Sequence, residues 1–599
     1  MGLIERIKSE YAYLKGALTV LRKVTSIAKN PDRTYPDVAD SLAAEFGDRI
    51  ALLSDDESLT FDEYNRRANQ YARWAIEHGI SKGDVVTLMM PNRPEYLAVW
   101  LGIIRAGGVT ALLNTNLNGP ALAHCVNIVK PKHVIVDATL IDSFKTAEPH
   151  LDQGPDFWSH GESPPGWHSL FAAVDRQPSD PITAADRPKL TTNDKCLYIY
   201  TSGTTGLPKA ANINHYRVQS IMFGFQAAMG MQKEDRIYIC LPLYHTSGGV
   251  LAAGAALTAG ASIFVREKFS ASQFWNDIVD NECTVFQYIG ELCRYLLNSP
   301  THPKETTHRL RLASGNGLRP DIWEDFSTRF RIPRILEWYA ATEGNAVFLN
   351  FDGKVGAVGR IPKWAERKFV TEVVKFDIDT EEPIRNSSGF CIKAAPNEVG
   401  EVISQILNDP SRPSQRFEGY ADEAATKKKI LEDVFEKGDR WFRSGDLMRK
   451  DELGYFYFVD RIGDTFRWKG ENVATSEVSE AVTVFPGVKE ANVYGVKVGT
   501  LDGRAGMAAL VVDDGFDIDG LHKHVKQQLP AYARPLFIRL QPEMEVTGTF
   551  KQRKVDLVKE GFDPAGIADP VYFDSPEAGS YVRLTADLFE RINNGVMRL

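Results

Sequence analysis

The chain has 599 residues, 43% of them hydrophobic and 25% charged, which is enough for several packed domains and matches the balance of an ordinary globular protein. A net charge of -9 argues against a nucleic-acid partner. The cysteines Cys125, Cys196, Cys240, Cys283, Cys293 and Cys391 are scattered, with no Cys-x-x-Cys pair and no histidines at metal-ligand spacing, so reduced thiols in a cytoplasmic protein are expected.

At the N-terminus no apolar core leads into a small-residue cleavage site, and no cleavable signal is expected. Leu3, Ile7, Tyr11, Leu14, Leu18 and Leu21 recur at helical spacing, while Arg6, Lys8, Lys15, Arg22, Lys23 and Lys29 outnumber Glu5 and Glu10. Residues 1–30 therefore predict a basic amphipathic helix that either rests on the inner face of the cell membrane or packs on its own globule. From Ser58 onward, helix and strand signals alternate as they do in a mostly parallel sheet. Phe61, Tyr64, Ala68, Tyr71 and Ala75 form one helical stripe; strands are predicted at Val85 to Met90, Val109 to Leu113 and His133 to Asp137. Between about Leu151 and Leu190 the periodicity is lost, which predicts an irregular surface crossing.

The run Leu197 to Tyr200 then predicts a buried strand that breaks into a loop of small polar residues. Gly203 and Gly206 permit close backbone approach, Thr201, Ser202, Thr204 and Thr205 add donors, and Lys209 adds a point charge, which together suit a phosphate. A solvated hairpin loop is the plainer alternative, and Leu207 and Pro208 separate Gly206 from Lys209, unlike the common Gly-Lys-Ser/Thr nucleotide loop. The full string YTSGTTGLPKA resembles the ATP-phosphate loop of the adenylate-forming enzymes: acyl-CoA synthetases, luciferases and peptide-synthetase adenylation domains. The resemblance implies an α/β fold, with a large multi-sheet N-terminal domain and a smaller mobile α+β C-terminal domain.

Further along, Ile237 to Leu241 predicts a strand, with His245 just past its carboxyl end, where open α/β sheets place ligands. The Gly248 to Val265 stretch is too rich in Gly and Ala for a membrane span and predicts a buried helix running into the strand Ala261 to Val265. The resemblance implies that His245 and the residues after it line the entry for a carboxylate, and that Gly248 and Gly249, standing where some long-chain members carry a bulky gate, leave the acyl tunnel wide. In ASGNGLRP, Gly315 and Gly317, on either side of Asn316, would let a flat base lie on the backbone. In EWYAATEGN, Tyr339 offers a stacking face, Thr342 a hydroxyl for phosphate and Glu343 an oxygen for magnesium, and Ala340 or Ala341 stands where the pattern of the family it resembles has Gly, a change that should only tighten the turn. Asp446 could hold both ribose hydroxyls and Arg461 could reach ribose or phosphate.

DRIGDTFRWKGENVATSEV and the tail DPVYFDSPEAGSYVRLTADLFERI resemble the fatty acid transport protein group, the very-long-chain acyl-CoA synthetases. That resemblance implies a hinge at Gly463, passage of pantetheine near Gly470, a catalytic Lys551 acting with Glu343 and Thr204, and magnesium held by Thr204 and Glu343. It divides the chain into an N-terminal segment 1–35, an AMP-binding domain 36–460 and a C-terminal domain 461–599. The implied activity is ATP-dependent ligation of long or very long fatty acids to coenzyme A, with magnesium as cofactor. The alternatives are loading of a carrier protein and fatty-acid binding or uptake at a membrane.

Overall fold

The computed structural model describes residues 3–597 except 153, 184–185, 202–206, 367–368, 408, 410–411, 500, 502 and 547–551. Ser202, Gly203, Thr204, Thr205, Gly206 and Lys551 thus lie outside the described residues.

Two mostly parallel sheets carry the first two thirds of the chain. One has seven strands, in the spatial order His168–Ser169, Asp156–His160, His133–Asp137, Val85–Met89, Val109–Leu112, Lys195–Thr201 and Lys209–Asn214. Only the last pair is antiparallel. The other has eight strands; its centre includes Arg236–Ile239, Val285–Ile289, Leu312–Asn316 and Ile335–Ala340 in parallel register. Helices cover both because the strands are apolar on both faces. The helix Phe61–Glu77 buries the whole stripe from Phe61 to Ala75, and Thr60 and Glu63 close a capping box at its start. A third, antiparallel sheet of seven strands includes Val399–Gln405, Arg440–Lys450 and Tyr455–Arg461, and a five-stranded sheet from Val488 to Arg583 builds the last lobe around its own apolar core. This is the expected plan of a large multi-sheet body and a smaller α+β lobe. The six cysteines are free and buried.

The stretch after Leu151 departs from expectation: Asp156–His160 and His168–Ser169 extend the first sheet. Both are short: the first sets the adjacent apolar pair Phe157 and Trp158 among Asp, Ser and His, and the second is only His168 and Ser169, so no period-2 pattern announces either.

The N-terminal helix α1 (Leu3–Ala28) forms as expected, but it packs with the opposite face. Ile7, Tyr11, Leu14, Leu18 and Leu21 stay exposed, whereas Ser9, Tyr13, Ala17 and Ile27 are buried. The reason is polar anchoring. Ser9 Oγ donates to Asp352 Oδ2 at 2.5 Å and accepts from Arg360 at 3.0 Å, Glu10 pairs with Arg360, and Trp364 Nε1 donates to Glu10 at 3.0 Å. Tyr13 packs edge-on to Phe351 and Trp364. Among the described residues no helix is long and apolar enough to cross a membrane.

Candidate active site

A cavity of about 1220 Å³ lies where the carboxyl ends of the parallel strands meet the antiparallel sheet. Of the expected residues it is lined by Thr201, Lys209, His245, Asn316, Gly317, Tyr339, Ala341, Thr342, Glu343, Asp446 and Arg461. Strand geometry explains the gathering: Thr201 and Lys209 are paired across the antiparallel edge, and Asp446 stands opposite Arg461 in the register of their two strands.

One end is cationic. Lys209 sits with its ammonium 5.8 Å from the Tyr420 ring, and burial, with Lys429 and Lys428 nearby, pushes its pKa below the ordinary lysine value. Lys427, Lys428 and Lys429 line the same cavity, so four lysines converge on a space that suits a polyanion. Tyr420 reaches this end because residues 418–421 run beside the Lys209–Asn214 strand, with Asn212 N donating to Gly419 O and Ala421 N to Ala210 O, both at 2.9 Å. Its hydroxyl donates to Glu343 Oε1 at 2.6 Å. Among the described residues no cluster of three or more His, Cys, Asp or Glu could hold a metal. Glu343 is the one carboxylate expected at the phosphate end, a donor set that suits magnesium bound chiefly by phosphate oxygens and water.

The turn carrying Thr342 and Glu343 is held from beneath by Arg217, which the sequence reading missed. Its Nε donates to Thr342 O at 2.8 Å and its Nη2 to Ala341 O at 3.0 Å, and it also bonds Gly344 O. The guanidinium is buried against these three carbonyls, with the charges of Glu343 and Glu418 near it. Thr342 Oγ1 lies 3.0 Å from Thr246 Oγ1, which joins the turn to the segment after His245.

Beside it, Tyr339 Oη donates to Asp446 Oδ2 at 2.5 Å and Arg461 Nε lies 3.9 Å from Asp446 Oδ1, so the carboxylate is oriented from two sides. The Asn316–Gly317 backbone is tied by Glu337, also missed: Oε1 accepts from Gly317 N at 2.5 Å and Leu318 N at 3.2 Å, and Tyr288 Oη donates to Oε2 at 2.5 Å. Burial pushes the Glu337 carboxyl up to about 8.

The glycines behave differently from expectation. A Cβ on Gly315 would meet Tyr288 O at 2.2 Å, so its bareness serves packing on that tyrosine; Gly317, at φ +83, has the backbone freedom only glycine gives cheaply. The reading of Gly248 and Gly249 as a vacant gate is corrected: Cβ atoms there would stand 2.6 Å from Pro242 O and 1.9 Å from Leu243 O, and the cavity wall is made by Thr246, Ser247 and Leu251 instead. These glycines let the π-helical turn Thr246–Ala252 lie against the preceding backbone. Gly249→Ala is accordingly expected to cost about 1–3 kcal/mol of stability through overpacking, seen as a lower Tm; an unchanged Tm would contradict this packing role. Gly463 sits at φ +91 with open space around it, and Gly470, at φ +83 beside Lys469 at φ +52, makes the two-residue hairpin turn between Phe466–Trp468 and Glu471–Val473. Neither lines the cavity.

A family model described as AMP-binding enzyme matches residues 40–404, and one described as AMP-binding enzyme C-terminal domain matches 477–551. The chain belongs to the AMP-binding enzyme family. Within that family it is similar to long-chain fatty acid transport protein 6 of Mus musculus, 42% identical over 599 residues, covering 99% of this chain and 93% of that protein. It is also similar to long-chain fatty acid transport protein 2 of Rattus norvegicus, 41% identical over 581 residues, covering 95% and 92%. In fold it is similar to ATP-bound MatB from Rhodopseudomonas palustris, with a TM-score of 0.72 at 24% identity, covering 88% of this chain and 98% of that one.

Proposed function

We propose that this family member is an ATP-dependent acyl-CoA synthetase for long-chain or very-long-chain fatty acids. The observation that carries the reading is the polarity of this cavity. Lysines and Glu343 stand at one end, Tyr339, Asp446 and Arg461 beside them, and Ile221, Phe225, Leu251 and Trp338 give the wall an apolar part. The names of the relatives point to the same class of substrate.

A carboxylate is a poor acyl donor because its leaving group would be oxide. In the proposed first step a carboxylate oxygen attacks the α-phosphorus of ATP, the bond to the bridging oxygen breaks, and pyrophosphate leaves; in the second, the thiol of coenzyme A attacks the acyl carbon and AMP leaves. In-line phosphoryl chemistry asks the protein for positioning and charge neutralisation. Lys209 and the 427–429 lysines supply charge for the phosphates, with Thr201, Ser202, Gly203, Thr204, Thr205 and Gly206 as their backbone and hydroxyl cradle. Tyr339 and the Asn316–Gly317 backbone receive the base, Asp446 and Arg461 the ribose, the Thr342 hydroxyl a phosphate, and His245 the carboxylate end. Glu343 and Thr204 would hold magnesium, which would supply neutralisation of phosphate charge. Lys551 completes the site from domain 461–599, which turns against domain 36–460 about Gly463, and Gly470 adjoins the pantetheine path. Residues 1–30 are read as a peripheral contact with the inner face of the cell membrane.

The test is pyrophosphate and AMP release by the full chain with ATP, magnesium, coenzyme A and fatty acids of increasing length. Release of AMP that requires coenzyme A and favours long chains is the expected result, with Lys551→Ala lowering adenylation by roughly 10²–10³-fold, as loss of one transition-state charge contact does. Pyrophosphate release with no acyl-CoA formed points to a carrier-protein acceptor, and acid uptake that survives Lys551→Ala points to carriage without ligation.

A further inference from the structure

We propose that α1 is the acyl-selective wall of the cavity: the tail of the substrate runs along Val20, Leu21 and Val24 of α1, where they meet Ile221 and Gly224 of the His215–Met229 helix. The inference rests on the synthetase reading and adds to it the element that sorts chain lengths.

Three observations converge. Val20, Leu21 and Val24 line the same cavity as Lys209 and Thr342, although residues before 40 lie outside the match to the family model. Gly224 sits within a helix at a position with no positive φ, and its missing side chain faces α1: a Cβ there would stand 3.7 Å from Val24 Cγ2 and 4.0 Å from Val20 Cγ1, which is ordinary contact. Glycine in a helix interior costs about 1 kcal/mol relative to alanine, and here neither backbone conformation nor a clash calls for it. What the residue provides is close approach of the two helices, leaving a gap of about one carbon where Val20 and Val24 join Ile221 in the cavity wall. Third, Leu21 belongs both to the cavity wall and, at 39% exposure, to the outer apolar stripe of α1, so the apolar end of the cavity reaches the surface beside this helix.

Distance decides which substrates feel the wall. Gly224 follows Arg217, which holds the Thr342 turn, by seven residues on one helix, and that places it roughly 10 Å along the axis. An acid must be long enough to cover that span before α1 touches it.

The experiment compares kcat/KM for octanoate, palmitate and lignocerate in the full-length wild type, in Gly224→Leu and Val24→Trp, which fill the gap, and in the double variant Val20→Ala/Val24→Ala, which widens it. Filling is expected to lower the palmitate-to-octanoate ratio at least about tenfold, the scale on which an apolar pocket discriminates a few methylenes, and widening is expected to raise the lignocerate-to-palmitate ratio. Ratios that stay at the wild-type value in all three variants overturn the proposal, as does a loss equal at every chain length, which is the mark of a merely structural contact. Should Gly224→Leu fail to fold, the widening pair still decides the matter. A wild type that releases no pyrophosphate with any acid overturns the synthetase reading itself, a result distinct from an active enzyme with unshifted ratios.

Discussion

Arg217→Lys is expected to slow adenylation by roughly 10- to 100-fold while leaving the protein folded, because displacing a reacting group by even an ångström costs on that order. A planar guanidinium reaches the carbonyls of Ala341, Thr342 and Gly344 together, and an ammonium on a flexible stem does not. The turn that then loosens carries Thr342 and Glu343, so the loss should fall on kcat and on the magnesium concentration needed for half-maximal rate more than on the KM for the acid. Arg217→Met should go further and also lower Tm, since the carbonyls of Ala341, Thr342 and Gly344 all lose this donor. A Lys variant with wild-type kcat and magnesium dependence would remove Arg217 from the positioning of the turn.

Glu337→Gln is expected to change how stability depends on pH. The folded carboxyl is held at about 8, above its ordinary value of 4.5. Between those two values the folded protein keeps a proton that the unfolded chain has released, so the wild type loses stability as pH rises through this window, by at most about 1.4 kcal/mol per unit. Above about pH 8 both states are ionised and the penalty is complete. The groups facing the carboxyl are the Tyr288 hydroxyl and the backbone N–H groups of Gly317 and Leu318, with the thiol of Cys293 near it. Glutamine can accept from both N–H groups and meet Tyr288 without charge. The Tm of Glu337→Gln minus that of wild type should therefore grow from pH 5 to pH 8; two parallel curves would refute the assignment. Glu337→Leu, which leaves both N–H groups unpaired, should instead weaken nucleotide binding.

Much of the fold was legible because its signals are local. The helix from Phe61, the strands at Val85, Val109 and His133, and the strand leading into the loop at Thr201 each announce themselves by period and by flanking glycines. Residues such as Tyr339, Thr342, Glu343, Asp446 and Arg461 stand out as motif members, and they line one cavity. Arg217, Glu337 and Tyr420 did not stand out, since a charge or a tyrosine on a helix or strand reads the same whether it meets water or a neighbouring turn. Only the pairing of distant strands brings Glu337 under Gly317 and Tyr420 beside Glu343. Two features share a cause. In the sequence Gly248 and Gly249 show what they lack and not the backbone they let through, and the apolar stripe of α1 is plain whereas the role of Ser9 and Glu10 in choosing the packed face is not.

The burial of all six cysteines has a practical consequence for watching the two lobes move. Desolvation lifts the thiols of Cys125 and Cys391, among others, above their ordinary values, so few thiolates are present to react at neutral pH. A cysteine introduced on the surface of each lobe would then be the preferred target of a fluorophore or spin label in an otherwise native chain. The proposed rotation about Gly463 would then be tested as a changing distance between two such labels during turnover, without first stripping the core of its sulfur.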